Sequence, residues 1–170
     1  KDQKVKKLVL SALMAALVYV ATSIIQIPSP MSGYVNLGDC FVLLSGWLLG
    51  PWYGGAAAGI GSMLVDLLGV YAHYAPGTLV IKAVDAIAAA LTFRALGRGK
   101  NAMLVSGIVG EVIMVLGYFA YASTILGKGL AAAASIPGNI VQGVAGIAIG
   151  MVLAVVLEST KVTKKAGLGL

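Results

Sequence analysis

The chain has 170 residues, of which 59% are hydrophobic and only 11% are charged, and its formal net charge is +6. Soluble proteins carry about 25% charged residues, and a soluble fold of this length could not cover so much apolar surface. The composition therefore excludes an ordinary soluble domain and predicts one integral membrane domain over residues 1–170.

Long apolar runs without strict alternation predict membrane-spanning α-helices. The first run ends before Pro28 and Pro30, and we expect it to be a retained helix rather than a cleaved signal peptide. Gly50 predicts a turn, after which Pro51 suits the start of the next helix. We expect a single all-α bundle of six transmembrane helices at about residues 7–27, 37–49, 51–69, 77–96, 102–123 and 136–158.

The basic residues predict the orientation of this bundle. Ten of the twelve Lys and Arg residues fall within residues 1–7, 94–100 and 161–165. With six spans these regions share one side, and the positive-inside rule places them, with both termini, in the cytoplasm. Because the basic residues flank spans instead of forming a patch on a soluble domain, we expect no nucleic-acid binding.

Polar residues in this topology fall at or outside the membrane midplane, where ionisable groups normally face the bundle interior and mark a site. They predict a pocket that opens to the outside. The candidate ligand-binding residues in the predicted helices or at their outer ends are Asn36, Asp39, Lys82, Asp85, Glu111, Tyr118, Asn139 and Gln142. The candidates in the outer loops are Tyr34, Tyr71, His73 and Tyr74.

Structural roles for these residues stay open. Lys82 and Asp85 are three residues apart and could neutralise each other on one helix face. Asn139 and Gln142 share a face and could join helices to each other. Glu111 is the strongest functional candidate, because it lies deepest and has no partner nearby in sequence.

Several chemistries have no pattern in the sequence. A phosphate-binding loop, a nucleophile–base pair and a metal-ligand cluster are not found, and the single cysteine, Cys40, excludes an intrachain disulfide. We therefore expect no enzymatic activity, no cofactor and no metal site. A small membrane enzyme or a structural bundle with a buried polar centre remains an alternative.

Small residues in the first predicted helix form a smooth strip. Ala12, Ala15 and Ala16 lie just beyond the basic flank, and the Ala12-x-x-x-Ala16 spacing permits close approach of another helix. The strip could pack within this bundle, or it could dock to a partner membrane protein.

The run Tyr34-Val35-Asn36-Leu37-Gly38-Asp39, followed by Leu49-Gly50-Pro51 and a Gly/Ala-rich helix, resembles a known family. It is similar to the substrate-binding S-components of energy-coupling-factor (ECF) vitamin transporters, in the riboflavin-transporter-like group that includes hydroxymethylpyrimidine and pyridoxine carriers. The resemblance covers about residues 7–158 and matches the alanine strip to the family's docking motif.

This resemblance implies a high-affinity, non-catalytic subunit in the bacterial cell membrane. Its partners would be a transmembrane coupling subunit and two ATPase subunits, and it would deliver substrate by toppling against the coupling subunit. The ligand would be held by the outer parts of predicted helices four to six, beneath the first and third outer loops.

The charges of the outer half favour one substrate class. Asp39, Asp66, Asp85 and Glu111 oppose only Lys82 there. We expect a neutral or cationic heteroaromatic ring with hydrogen-bond donors, since tyrosines can stack on it and carboxylates can accept from it. Pyridoxine or hydroxymethylpyrimidine ranks first, riboflavin is the alternative, and the anionic vitamins biotin and folate fit less well.

Overall fold

The computed structural model describes residues 2–168 and residue 170. Lys1, which belongs to the predicted basic N-terminus, lies outside the described residues. The helices are α1 (Asp2–Ile24), α2 (Asp39–Leu68), α3 (Ala75–Ala95), α4 (Lys100–Thr124), α5 (Ile136–Ser159) and α6 (Val162–Lys165). Two short strands, β1 (Ile27–Ser29) and β2 (Gly33–Val35), pair antiparallel, and short 3-10 turns occupy Pro30–Ser32, Ala72–Tyr74 and Gly129–Ser135.

Helix α2 is continuous along the chain but forms two arms in space. Gly50 has φ 85° and ψ −179°, which no helix contains, and Pro51 follows it. A Cβ added to Gly54 would lie 2.5 Å from the Ser45 carbonyl oxygen. A straight helix advances about 1.5 Å per residue and could not bring these residues so close. The chain therefore reverses at Gly50-Pro51, as the sequence predicts, and the arms 39–49 and 51–68 pack together.

Four helical segments in the described part of the chain are long and apolar enough to cross a membrane. They are Asp2–Ile24, Ala72–Ala95, Lys100–Thr124 and Gly129–Ser159. The arms of α2 are not among them, and the first arm is short for a bilayer core of about 30 Å. The all-helical membrane class is confirmed, whereas the count of six spans stays a prediction.

The first predicted helix differs from the observed one at both ends. It was expected at 7–27, whereas α1 runs from Asp2 to Ile24, and Ile27 begins a strand. Pro28 keeps Ile27 in extended backbone, and the pairing of Ile27 with Val35 in the β-hairpin sets where α1 must end. The early start follows from three lysines in residues 4–7, which are good helix formers.

The apolar core lies towards the Gly50 turn. Leu43, Trp47 and Phe93 are buried there, and Met103 of α4 packs into the same cluster. The Trp47 indole N–H donates to Ser106 Oγ at 2.9 Å, which satisfies the donor inside the bundle. The polar side chains lie at the opposite end of the helices, so the bundle has one apolar half and one polar half.

Candidate ligand-binding site

A small cavity opens at the polar end of the bundle. All five long helices and the β-hairpin contribute to its wall. Seven of the twelve predicted ligand residues line it, namely Tyr34, Asn36, Tyr74, Lys82, Tyr118, Asn139 and Gln142. The other five lie around it: Asp39, Asp85 and Glu111 are buried beside Lys82, and Tyr71 and His73 lie in the outer loop.

One side of the cavity is a chain of hydrogen bonds centred on Asp66. The Tyr34 hydroxyl donates to Asp66 Oδ1. Thr78 Oγ1 donates to Asp66 Oδ2 at 2.5 Å and lies 2.8 Å from the Tyr118 hydroxyl. Burial, together with the Asp66 carboxylate, raises the pKa of Tyr34, so that this phenol remains a donor. The network joins β2 to α2, α3 and α4.

A second network crosses the cavity floor. The Asn36 backbone N–H donates to Gln142 Oε1 at 3.1 Å, and Gln142 Nε2 donates to Asp39 Oδ2 at 3.0 Å. Lys82 Nζ forms an ion pair with Asp39 Oδ1. The suggested pair of Lys82 with Asp85 is therefore wrong. The long lysine side chain reaches across to the start of α2, where Gln142 already holds Asp39 in place.

Three carboxylates from three helices meet in this layer. One oxygen each of Asp39, Asp85 and Glu111 lies within 4.8 Å of the others. Among the described residues, no donor reaches either oxygen of Asp85 or of Glu111. Sequence spacing could not reveal this cluster, because its members come from α2, α3 and α4.

The outer loops meet above the cavity. His73 Nε2 lies 2.9 Å from the Ser32 carbonyl oxygen, and the Tyr74 hydroxyl donates to the Met31 carbonyl at 2.7 Å. The rings of Tyr34 and Tyr71 are 4.3 Å apart between centroids. These contacts tie the Ala72–Tyr74 turn to the β-hairpin, so that the two segments form one cover. We call this pair of segments the lid.

Sequence reasoning missed several polar residues of the wall. Asp66 was grouped with the outer polar residues but was not assigned to the ligand, whereas it lines the cavity. Thr22 of α1 and Ser62 of α2 also line the cavity, and their hydroxyls are buried without a partner among the described residues. The expected site included no residue of the first or third predicted helix, and a lone hydroxyl in an apolar run is a weak signal.

The alanine strip lies on another surface. Ala12, Ala15 and Ala16 line an apolar groove between α1 and the second arm of α2, and Trp52 and Tyr53 contribute to its other wall. Trp52 is 74% exposed. A large exposed aromatic beside a smooth strip is typical of a surface that receives lipid or another helix.

Comparisons with known proteins show the fold and the family of this chain. A solved structure described as "Structure and mechanism of the S component of a bacterial ECF transporter" superposes with a TM-score of 0.74, covering 92% of this chain and 98% of that chain. At 18% identity this match shows a shared fold. A Pyrococcus woesei protein described as "Uncharacterized protein in gap 3'region" is 39% identical over 142 residues, which are 83% of this chain and 94% of that protein.

The family model described as "ECF-type riboflavin transporter, S component" matches residues 2–159. That range includes α1 to α5, both segments of the lid and every residue that lines the cavity. Membership makes the protein a transport component of the cell membrane rather than an enzyme. The chain belongs to the family of ECF-type riboflavin transporter S components.

Proposed function

We propose that the chain is the substrate-binding subunit of an ECF importer and that it binds a small water-soluble vitamin or vitamin precursor. The substrate we place first is pyridoxine or hydroxymethylpyrimidine. The observation that carries this proposal is the polar cavity beneath the lid, where aromatic rings and hydrogen-bonding groups converge in a protein of a transport family.

The groups in the wall match a small heteroaromatic ring with hydroxyl or amino substituents. Tyr34, Tyr74 and Tyr118 offer aromatic faces. Asn139 and Gln142 each offer both donors and acceptors. Pockets that use a few placed polar groups in this way gain orientation and specificity from them.

Charge supports the same ranking. Three buried carboxylates lie beside the only lysine of the wall, and one of them is already paired with it. An anionic vitamin would have to compete for Lys82 and would meet repulsion from the remaining acids. Neutral or cationic rings avoid both costs.

Riboflavin is the second candidate. The description of the matching family favours it directly. Its tricyclic ring and ribityl chain are much larger than pyridoxine and would need a larger share of the site to open. Competition between the two vitamins for one site separates these candidates.

The transport cycle that we propose requires partners. Counting the arms of α2 separately gives six spans, with both termini in the cytoplasm and the cavity facing outward. A transmembrane coupling subunit would receive the protein along the alanine-strip groove, and two ATPase subunits would supply the energy. The protein would topple against the coupling subunit and expose the cavity inward.

The binding proposal is tested by ligand extraction followed by titration. We expect the protein purified in detergent to release a small heteroaromatic compound, identified by mass spectrometry, and to bind it with submicromolar affinity without turnover. Asn139→Ala should weaken binding about fivefold, which corresponds to about 1 kcal/mol for one hydrogen bond. The control Asn101→Ala changes an exposed residue at the start of α4. Absence of binding across a vitamin panel would contradict the proposal.

The docking proposal has a separate test. In cells that express the whole transporter, the double variant Ala12→Leu and Ala16→Leu should abolish vitamin uptake while the isolated protein still binds ligand. Ala148→Leu, an equally bulky change at an exposed position of α5, is the matched control. Uptake at the control level in the double variant would show that α1 is not the coupling surface.

A further inference from the structure

A cluster of three acidic side chains lies beside the floor of the ligand cavity. Asp39 of α2 and Asp85 of α3 are 0% exposed, and Glu111 of α4 is 4% exposed. One oxygen from each residue lies within 4.8 Å of the other two. Carboxylates repel one another at such distances, and the repulsion is strongest away from water. Something must therefore compensate their charge.

The surrounding protein compensates only one of the three. Lys82 pairs with Asp39, whose other oxygen accepts a hydrogen bond from Gln142. All four carboxylate oxygens of Asp85 and Glu111 are buried, and none of them has a hydrogen-bond partner among the described residues. Buried polar atoms almost always have a partner, and an unpaired buried carboxylate is especially costly. The side chains themselves thus supply no partner for these four oxygens, which leaves a bound cation or protons to neutralise them.

Neighbouring helices leave space for these side chains. A Cβ on Gly110 of α4 would lie 2.3 Å from Asp85 Oδ1. On α5, a Cβ on Gly143 would lie 3.3 Å from Glu111 Oε2, and one on Gly146 would lie 2.7 Å from the Asp39 Cβ. Each acid is therefore packed against a glycine of an adjacent helix. A larger residue at Gly110 or Gly146 would force the acidic side chain beside it to move.

We propose that Asp39, Asp85 and Glu111 bind one divalent cation of the Ca²⁺ type beside the vitamin cavity. An all-oxygen ligand set suits hard cations. A divalent ion neutralises the two charges that Lys82 leaves uncompensated.

Hydration distinguishes between the hard cations that could bind here. Ca²⁺ binds oxygen at about 2.3–2.6 Å, so ligands on opposite sides of it are separated by about 4.6–5.2 Å. Mg²⁺ binds at about 2.0–2.1 Å and keeps several waters. Oxygens that lie within 4.8 Å of one another can all bind one Ca²⁺, and a buried site leaves little room for the waters that Mg²⁺ keeps.

The cation site would be linked to the vitamin cavity through two side chains. Lys82 and Gln142 both contact Asp39, and both line the cavity. A cation that draws Asp39 towards itself would weaken the ion pair between Asp39 and Lys82. The Lys82 ammonium group would then be free to donate a hydrogen bond to the vitamin. Such linkage is reciprocal, so vitamin binding should raise the cation affinity by the same factor. The cation site itself does not depend on which vitamin binds.

The test uses the whole protein purified in detergent and stripped with EDTA. Equilibrium dialysis with radioactive Ca²⁺ should show one ion per chain. Thermal melting should show a saturable rise of about 5–10 °C at a hundredfold excess over the Kd, with a smaller effect of Mg²⁺ and none of Na⁺. The double variant Asp85→Asn and Glu111→Gln should lose both effects. Its control, Asp2→Asn with Glu158→Gln, removes two exposed acids and should keep them.

Three results would overturn the proposal. The first is no Ca²⁺ bound at millimolar concentration. The second is equal Ca²⁺ binding by the double variant and its control, which would place the ion on the surface. The third is stabilisation by acidification with no response to any cation, which would show that protons neutralise the cluster.

A measurement on the unaltered protein covers the case in which the double variant does not fold. Tb³⁺ substitutes for Ca²⁺ and emits when a nearby tyrosine is excited. Tyr118 is close to the cluster, since Lys82 Nζ pairs with Asp39 and lies 5.7 Å from the Tyr118 ring centroid. The site is supported if Tb³⁺ gives sensitised emission and if Ca²⁺ abolishes this emission at a lower concentration than Mg²⁺ does. Absence of sensitised emission contradicts it.

Discussion

Lys82→Met should be one of the most destabilising single substitutions in this protein. Lys82 is 3% exposed and supplies the positive charge of an ion pair whose other member, Asp39, is fully buried. Methionine has nearly the same length and no charge, so the change removes the ammonium group while it keeps most of the packing. Among the described residues, Gln142 would be the remaining hydrogen-bond partner of the Asp39 side chain.

The expected cost is about 3–5 kcal/mol, the loss that follows when one partner of a buried ion pair is removed. The cost arises mainly from the carboxylate left behind. A second change, Asp39→Asn, should therefore recover at least half of the loss when it is added to Lys82→Met. An exposed lysine at the start of α4, Lys100, provides the control, and Lys100→Met should stay within about 0.5 kcal/mol of the wild type.

The assay is reversible unfolding in mixed micelles of dodecylmaltoside and SDS, followed by far-UV circular dichroism. EDTA is present throughout, so that no divalent cation contributes to the measured free energy of unfolding. Two results would refute the reasoning. One is a Lys82→Met variant as stable as Lys100→Met. The other is a double variant less stable than Lys82→Met alone, because that would show that Asp39 stabilises the fold without its partner.

Three further outcomes are expected. Gly50→Ala should cost about 1–3 kcal/mol in the same unfolding assay, because Gly50 has φ 85° and ψ −179°. The control Gly107→Ala should cost less, since its added Cβ meets nothing closer than 3.1 Å. Tyr74→Phe removes the 2.7 Å bond to the Met31 carbonyl that ties the lid, and stopped-flow measurements should show ligand release about fivefold faster, for about 1 kcal/mol; unchanged release would mean that this bond does not hold the lid. Burial and a neighbouring carboxylate raise the pKa of Tyr34 above 10.0. The contribution of the Tyr34 hydroxyl to stability should therefore be fully present below about pH 10 and lost as the pH rises further. A stability difference between the wild type and Tyr34→Phe that is the same at every pH would contradict this.

The class of the protein could be predicted because composition and periodicity can be read from the sequence without knowing which segments contact each other. The shortage of charge requires lipid as the solvent, and lipid requires helices. The reversal at Gly50-Pro51 was equally accessible, since the required backbone conformation excludes almost every residue but glycine. The end of α1 was predicted three residues too late, at 27 instead of 24. Its true end depends on the hairpin that Ile27 enters by pairing with Val35, and a pairing between separate segments has no periodic signature.

The candidate site shows the same division in its own residues. The sequence by itself determined that polar groups gather at one end of the bundle, because charged side chains in lipid have few tolerated positions. Only the tertiary structure decided which of them meet. Lys82 could pair with Asp85 by spacing alone, yet it pairs with Asp39 across two helices. Such contacts are set by the relative rotation and depth of the packed helices. Rotation and depth depend on close packing over the whole bundle and cannot be deduced from the sequence of one helix.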